Sequence, residues 1–145
     1  MSIDQIHQLR IRSNQFVADF QMHVGEVVEH NERLLQLNKA QLKASKTSKG
    51  GALINSRTGS SKYSPAYAKK KGYSKPDLFV NGYFYKEMDI LYHEPSEYVI
   101  SSYAGFTKYL VEMYSEYIFG IGDKKKAQAI VMPELQQKYI TIVLK

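Results

Sequence analysis

The sequence predicts an α+β fold: a long N-terminal helix packed on a small antiparallel sheet, with additional short helices closing the other side. Three observations carry that prediction. Apolar residues recur at three- and four-residue steps through the first 42 positions. Two runs rich in Ile, Val and Tyr flank the turn His93-Glu94-Pro95-Ser96. Around them lie short helical patterns with their own start and stop residues. The 145 residues suit a single domain, read as a helix over 1–42, a flexible basic loop over 43–62 and an α+β core over 63–145.

Each element has a local cause. Ser2 and Gln5 form a capping box at the start of the first helix. Ile6, Leu9, Phe16, Val17, Phe20, Val24, Val27, Val28, Leu34 and Leu35 give it one apolar face, expected to be buried. Gly25 costs about 1 kcal/mol relative to alanine and predicts a kink. From Lys43 to Lys62 the period disappears into Ser, Thr and Gly. A connection longer than about 12–15 residues is usually functional or disordered, so this one reads as a mobile basic arm.

Ser64 then caps a helix whose first residue is Pro65, and Gly72 stops it after Lys69, Lys70 and Lys71. Pro76 forces an extended step into Leu78, Phe79 and Val80, read as a buried patch, and Asn81 caps a short helix from Tyr83 to Met88. Asp89 to Tyr92 and Glu97 to Tyr103 are the two strands. Gly105 opens a helix with Phe106, Tyr109, Leu110, Met113 and Tyr117 on one face. An apolar corner follows from Tyr117 to Gly122, Asp123 caps another helix, and Pro133 is expected to restart one as a first-turn residue. Tyr139 to Leu144 fits either helix or strand. Leu78, Phe79, Phe84 and Phe119 are the expected core.

Charge is distributed unevenly. Residues 1–32 hold two Lys/Arg against five Asp/Glu, and residues 77–145 hold seven against nine. Residues 33–76 hold eleven Lys/Arg and no acid, so this one segment carries the whole basic excess behind the net +6. Such a block repels itself and favours a polyanion or an acidic neighbour. There is no cysteine, which removes disulfides, thiolate nucleophiles and cysteine-zinc sites and fits a reducing cytoplasm. No apolar run approaches the roughly 20 residues of a membrane span, and the N-terminus lacks the pattern of a secretory signal.

Few constellations suggest chemistry. His23, Glu26 and His30 share a helical face at metal-ligand spacing, but no second cluster completes a site, and the plainer reading is polar rim residues. His7 and His93 are isolated. Glu94 with Glu97 and Glu112 with Glu116 have ordinary surface spacing. Neither a phosphate-binding Gly-x4-Gly-Lys loop nor a Gly-x-Ser-x-Gly elbow occurs, so an enzyme is not expected. Eleven of twelve tyrosines lie between Tyr63 and Tyr117, beside the basic segment. They suit half-buried packing and protein interfaces, or a stacking platform for single-stranded nucleic acid.

The stretch from Tyr63 resembles a known family. A Tyr-Ser helix, a basic loop and a Leu-x-x-Thr-Gly-x-Phe motif are similar to the tailed-phage virion-morphogenesis family. Tyr63, Ser64, Lys69, Leu78, Gly82 and Phe84 stand at its positions, with Asn81 for the usual threonine. An Ile-Phe-Gly corner at Ile118–Gly120 extends the resemblance to about Pro133, roughly half of the chain.

The resemblance implies a non-enzymatic structural protein of a phage or prophage, without cofactor or metal, acting in tail completion or head-tail joining. It would assemble in the host cytoplasm as a hexameric ring and reside in the virion between connector and tail-tube proteins. The arm would order by docking on a neighbour. Lys43, Lys46, Lys49, Arg57, Lys62, Lys69, Lys70, Lys71 and Lys75 are the expected partner or non-specific DNA contacts, or simply a solvated face. The alternative is a nucleic-acid-binding accessory protein that uses the basic 39–75 segment and its neighbouring tyrosines.

Overall fold

The computed structural model describes residues 1–93 and 97–145. Among these, seven α-helices and one two-stranded antiparallel sheet make the α+β fold that the sequence predicts. The leading helix is divided into α1 (Ile3–Ala18), α2 (Phe20–Val28) and α3 (Glu32–Lys43). The Ser2–Gln5 capping box opens α1, with Ser2 Oγ accepting from Gln5 N at 3.1 Å.

The helix does not break at Gly25. Asp19 leaves helical geometry at φ −95° and ψ 13° while its N–H still reaches the Gln15 and Val17 carbonyls. The second break is sharper. His30 turns left-handed at φ 56°, and its N–H bonds the Ile90 carbonyl at 2.8 Å, which ties the turn to the sheet. Asn31 restarts the helix, its Oδ1 accepting from Leu34 N at 3.1 Å. Gly25 serves a close approach instead: a Cβ there would sit 2.5 Å from Tyr92 Cδ1.

The predicted apolar stripe is buried only in part. Phe16, Val27, Val28, Leu34 and Leu35 are inside, whereas Ile6, Val17 and Phe20 are exposed. The reason is one-sided packing, since α1 meets α2 and the C-terminal turn and leaves its other flank uncovered.

The segment 43–62 is irregular, as expected, but it is anchored to the domain. Lys46 and Ala52 form a β-bridge, and Leu53 between the arm's two halves is fully buried. Ser48 N donates to the Tyr117 carbonyl at 2.8 Å and Ser56 N to the Met113 carbonyl at 2.7 Å. These bonds satisfy backbone groups that an open arm would leave to water.

Beyond the arm come α4 (Pro65–Lys71), α5 (Tyr83–Lys86), β1 (Met88–His93), β2 (Glu97–Ser102), α6 (Thr107–Tyr114) and α7 (Lys124–Tyr139). Ser64 caps α4 and Gly72 ends it at φ 85°, as the residues predict. Ile90 pairs with Ile100, and both face the core. The predicted turn at Glu94–Ser96 lies outside the described residues.

Several local expectations are corrected. In the predicted patch only Leu78 is buried; Phe79 is 40% and Val80 69% exposed. Leu78 sits at φ 59°, so the chain turns at that residue and does not continue as an apolar run. Phe84 is core, and Phe119 packs half-buried against it. Gly82, at φ 82°, occupies the cap position of α5, with Asn81 Oδ1 accepting from Tyr83 N at 3.0 Å. The apolar face of α6 is set by Leu110 and Tyr114, because the helix ends before Tyr117 at Ser115. Pro133 lies inside α7 and does not start a helix. Pro133 and Ala129, whose carbonyl loses its partner, are both exposed, so water can satisfy that carbonyl. Ile140–Leu144 is a π-helical continuation of α7, with Val143 fully buried.

Candidate functional site

The nine expected contact residues separate into four groups. Lys46, Lys69, Lys70 and Lys75 are exposed, Lys69 and Lys70 on the outer side of α4. Lys43, Lys49 and Arg57 are also exposed but lean on aromatic rings: Lys43 Nζ lies 5.8 Å from Tyr85, Lys49 Nζ 3.8 Å from Tyr117, and the Arg57 guanidinium 5.2 Å from Tyr109. Lys62 lines a groove, described below. Lys43 and Lys75 are brought to one shallow basin with Tyr73 and Asp77.

Lys71 behaves differently from its two neighbours. Only 12% of its side chain is exposed, and Nζ donates to Asp77 Oδ1 at 3.0 Å and to the Phe79 carbonyl. The rings of Tyr73, Tyr63 and Tyr67 surround the ammonium at 4.9, 5.2 and 5.8 Å. Tyr73 and Tyr63 hydroxyls donate to Asp77 at 2.7 and 3.1 Å, Tyr85 donates to its carbonyl, and Phe79 N to its Oδ1 at 3.1 Å. That takes Lys71 out of the set available to a partner. It is an internal staple that folds the chain after α4 back on itself.

The electrostatics of this cluster freeze it. Burial alone would raise the Asp77 pKa, but hydrogen bonds from Tyr73, Lys71 and Phe79 N outweigh that and hold it below the usual value. Burial would lower Lys71, yet its bonds to Tyr73 and Asp77 leave it raised. Burial raises Tyr63 and Tyr85, and pushes Tyr114 nearby up to about 12. At neutral pH these shifts keep Asp77 ionised, Lys71 protonated and the tyrosine hydroxyls neutral.

A second device was not legible in the sequence. Asn38 on α3 is fully buried; its Nδ2 donates to the Ile118 carbonyl at 2.9 Å and its Oδ1 accepts from Gly120 N at 2.8 Å. Gln41, one turn on, bonds the Gly120 carbonyl at 3.1 Å and Gly122 N at 3.0 Å. Two amides three residues apart on one helix face clamp the apolar corner. The corner in turn seats the arm, for a Cβ on Gly122 would lie 2.7 Å from the Ser48 carbonyl oxygen. Amides at this spacing inside an apolar helix face are the one sequence signal that could have found the clamp.

Between the arm, α4 and α6 runs a groove of about 540 Å³. Tyr63, Tyr67, Tyr109 and Tyr114 line it with the aliphatic Leu78, Val80, Leu110 and Met113. Lys62 is the one charged residue in its lining.

The histidines and acids do not converge on one site: His23 Nδ1 lies 3.9 Å from Glu26 Oε2, while His30 pairs elsewhere. His23 is buried rather than on a rim, stacked on Phe16 at a 4.3 Å centroid distance. Glu26 points to Lys138, whose hydrogen bond lowers its pKa, and His30 has left the helix to pair with Asp89 at 2.7 Å. Among the described residues no group of three metal-ligating side chains exists. Ser115, at φ 105°, separates Glu112 from Glu116. His7 is exposed; Glu94 and the side chain of His93 lie outside the description. No described helix is long and apolar enough to cross a membrane.

Comparison with protein-family models, with curated proteins and with solved structures gave no match to this chain.

Proposed function

We propose that the chain is a non-enzymatic structural protein of a tailed phage or prophage, acting in tail completion or head-tail joining. It assembles as a ring, hexameric by analogy, against connector and tail-tube proteins, and resides in the virion. The observation that carries the reading is the fit between the motif of the resembling stretch and its structural duties. Ser64 caps α4, Gly82 holds the left-handed cap of α5, and Leu78 and Phe84 are core. Uncovered apolar surface supports assembly. Ile3 is 85% and Val17 69% exposed on α1, and Ile142 and Leu144 are exposed on the turn it packs against.

Tyrosine geometry favours protein contacts over the nucleic-acid alternative. The cations that could accompany base stacking already lie on the rings, Lys71 against three and Arg57 and Lys49 against one each. The first test is deletion of the gene followed by electron microscopy of the lysate. Filled heads beside unjoined or aberrant tails are expected. Normal particles with a defect in DNA handling would overturn the reading.

A further inference from the structure

The groove between the arm, α4 and α6 brings aromatic, aliphatic and cationic groups together. Its chemistry is mixed in a specific way. Leu78 and Leu110 are buried at its base, and Met113 is partly covered beside them. Tyr109, at the mouth, is 46% exposed. Lys62 lines the groove, Arg57 leans over Tyr109 at the same mouth, and no carboxylate is in the lining. The volume falls in the roughly 300–1,000 Å³ range of ligand sites.

These facts select a ligand class. Aliphatic side chains at the base suit an apolar side chain better than a base, which needs an open ring face. Those faces are partly spent: Arg57 lies on Tyr109, Lys71 lies on Tyr63 and Tyr67, and Tyr114 is buried. Tyr63 and Tyr67 also meet each other edge-on at 4.8 Å. The cations at the mouth favour acidic acceptors.

We infer that this groove receives a short acidic peptide segment of a partner protein, with a large apolar side chain over Leu78, Leu110 and Met113 and a carboxylate at Lys62. The occupant is identified by charge complementarity with the groove and with the acid-free 33–76 segment that forms one of its walls. The inference goes beyond the head-tail reading and does not depend on it, since an acidic segment could dock there in any assembly.

The test selects a library of short random peptides on the full chain, with counter-selection on the Lys62→Glu/Tyr109→Ala double variant. Both side chains lie at the surface, and circular dichroism verifies that the variants fold. The expected winners carry Asp or Glu beside Leu, Phe or Met and bind the unaltered protein about tenfold more tightly than either single variant, a difference of about 1.4 kcal/mol. Lys125→Glu, which makes the same charge change on α7, should leave binding unchanged. Failure to enrich peptides that distinguish the double variant, or enrichment of neutral or basic ones, overturns the inference. So does oligothymidylate binding that is lost in Tyr109→Ala, which would assign the groove to nucleic acid. The gene-deletion phenotype is independent of all these outcomes, so the two readings fail separately.

Discussion

The arm over 43–62 and the helix α1 are opposites in regularity and in attachment. The arm has one isolated bridge and no helix of its own, yet Leu53 is fully buried and its backbone bonds α6 and the corner. Helix α1 is sixteen residues of regular, capped backbone, and Phe16 is its one buried side chain. Hydrogen-bonded regularity fixes local shape, whereas attachment to a domain comes from side chains removed from water and from bonds between elements. A long helix can therefore be the loosely held part, and an irregular loop the firmly held one.

The largest expected effect tests that contrast directly. Leu53→Ala should cost about 4 kcal/mol, because it empties a fully enclosed site in the main core. Ile6→Ala, at a position 53% exposed, should stay within about 0.5 kcal/mol. Urea denaturation measures both. Equal costs would break the comparison. Ile6→Glu sharpens it from the other side: the isolated chain should keep its stability while particle assembly falls, if the uncovered face of α1 meets another subunit.

Next in size is the internal staple. Asp77→Asn leaves Lys71 as a largely buried ammonium without its counter-ion and should cost about 3 kcal/mol at neutral pH. The sign with pH follows from the depressed Asp77 pKa. Its stabilisation is fully present above the unfolded value of 3.8 and is lost as pH falls through the lower folded value. The unaltered protein should therefore lose stability on acidification below about pH 4 more steeply than Asp77→Asn. Parallel acid limbs would show that the pair contributes little.

A third variant addresses the seat of the arm. Gly122→Ala sets a Cβ against the Ser48 backbone oxygen and should cost about 2 kcal/mol. Its signature is local: tryptic cleavage at Lys46, Lys49 and Arg57 should accelerate more than global unfolding does. Cleavage rates that merely track global stability would mean that the arm is not seated separately.

These same sites mark where sequence reasoning succeeds. Ser64, Pro65 and Gly72 were legible because a cap, a first-turn proline and a left-handed stop act within a few residues. Asp123 and the two strands were legible for the same reason. Lys71 was not, because its neutralisation depends on a turn that brings Asp77 and three tyrosine rings around it. The composition of 43–62 is that of a loose arm, and nothing local reveals that Leu53 finds a closed pocket. The α1 stripe shows the reverse limit: periodicity identifies an apolar face, but whether anything covers it depends on the rest of the fold or on another chain. Among the candidate contacts, sequence could locate the basic segment but could not separate Lys69 and Lys70, which face solvent, from Lys71, which does not.

The smallest effect lies at the N-terminal side of the comparison, where the helices turn onto the sheet. His30 adopts φ 56° and its Nδ1 meets Asp89 at 2.7 Å, and the hydrogen bond to Asp89 raises the histidine pKa. A raised folded pKa makes the pair's contribution complete below the ordinary 6.5 and progressively lost as pH rises through the raised value. His30→Asn keeps a residue that tolerates the left-handed backbone and removes the titration. Above pH 6.5 the unaltered protein should thus show a slight downward drift in its urea midpoint that the variant lacks. Because the imidazole is solvent-exposed, added salt should shrink that drift. Identical pH slopes in the two proteins would mean that the backbone bond from His30 to Ile90 alone holds the turn, with the side-chain pair contributing nothing measurable.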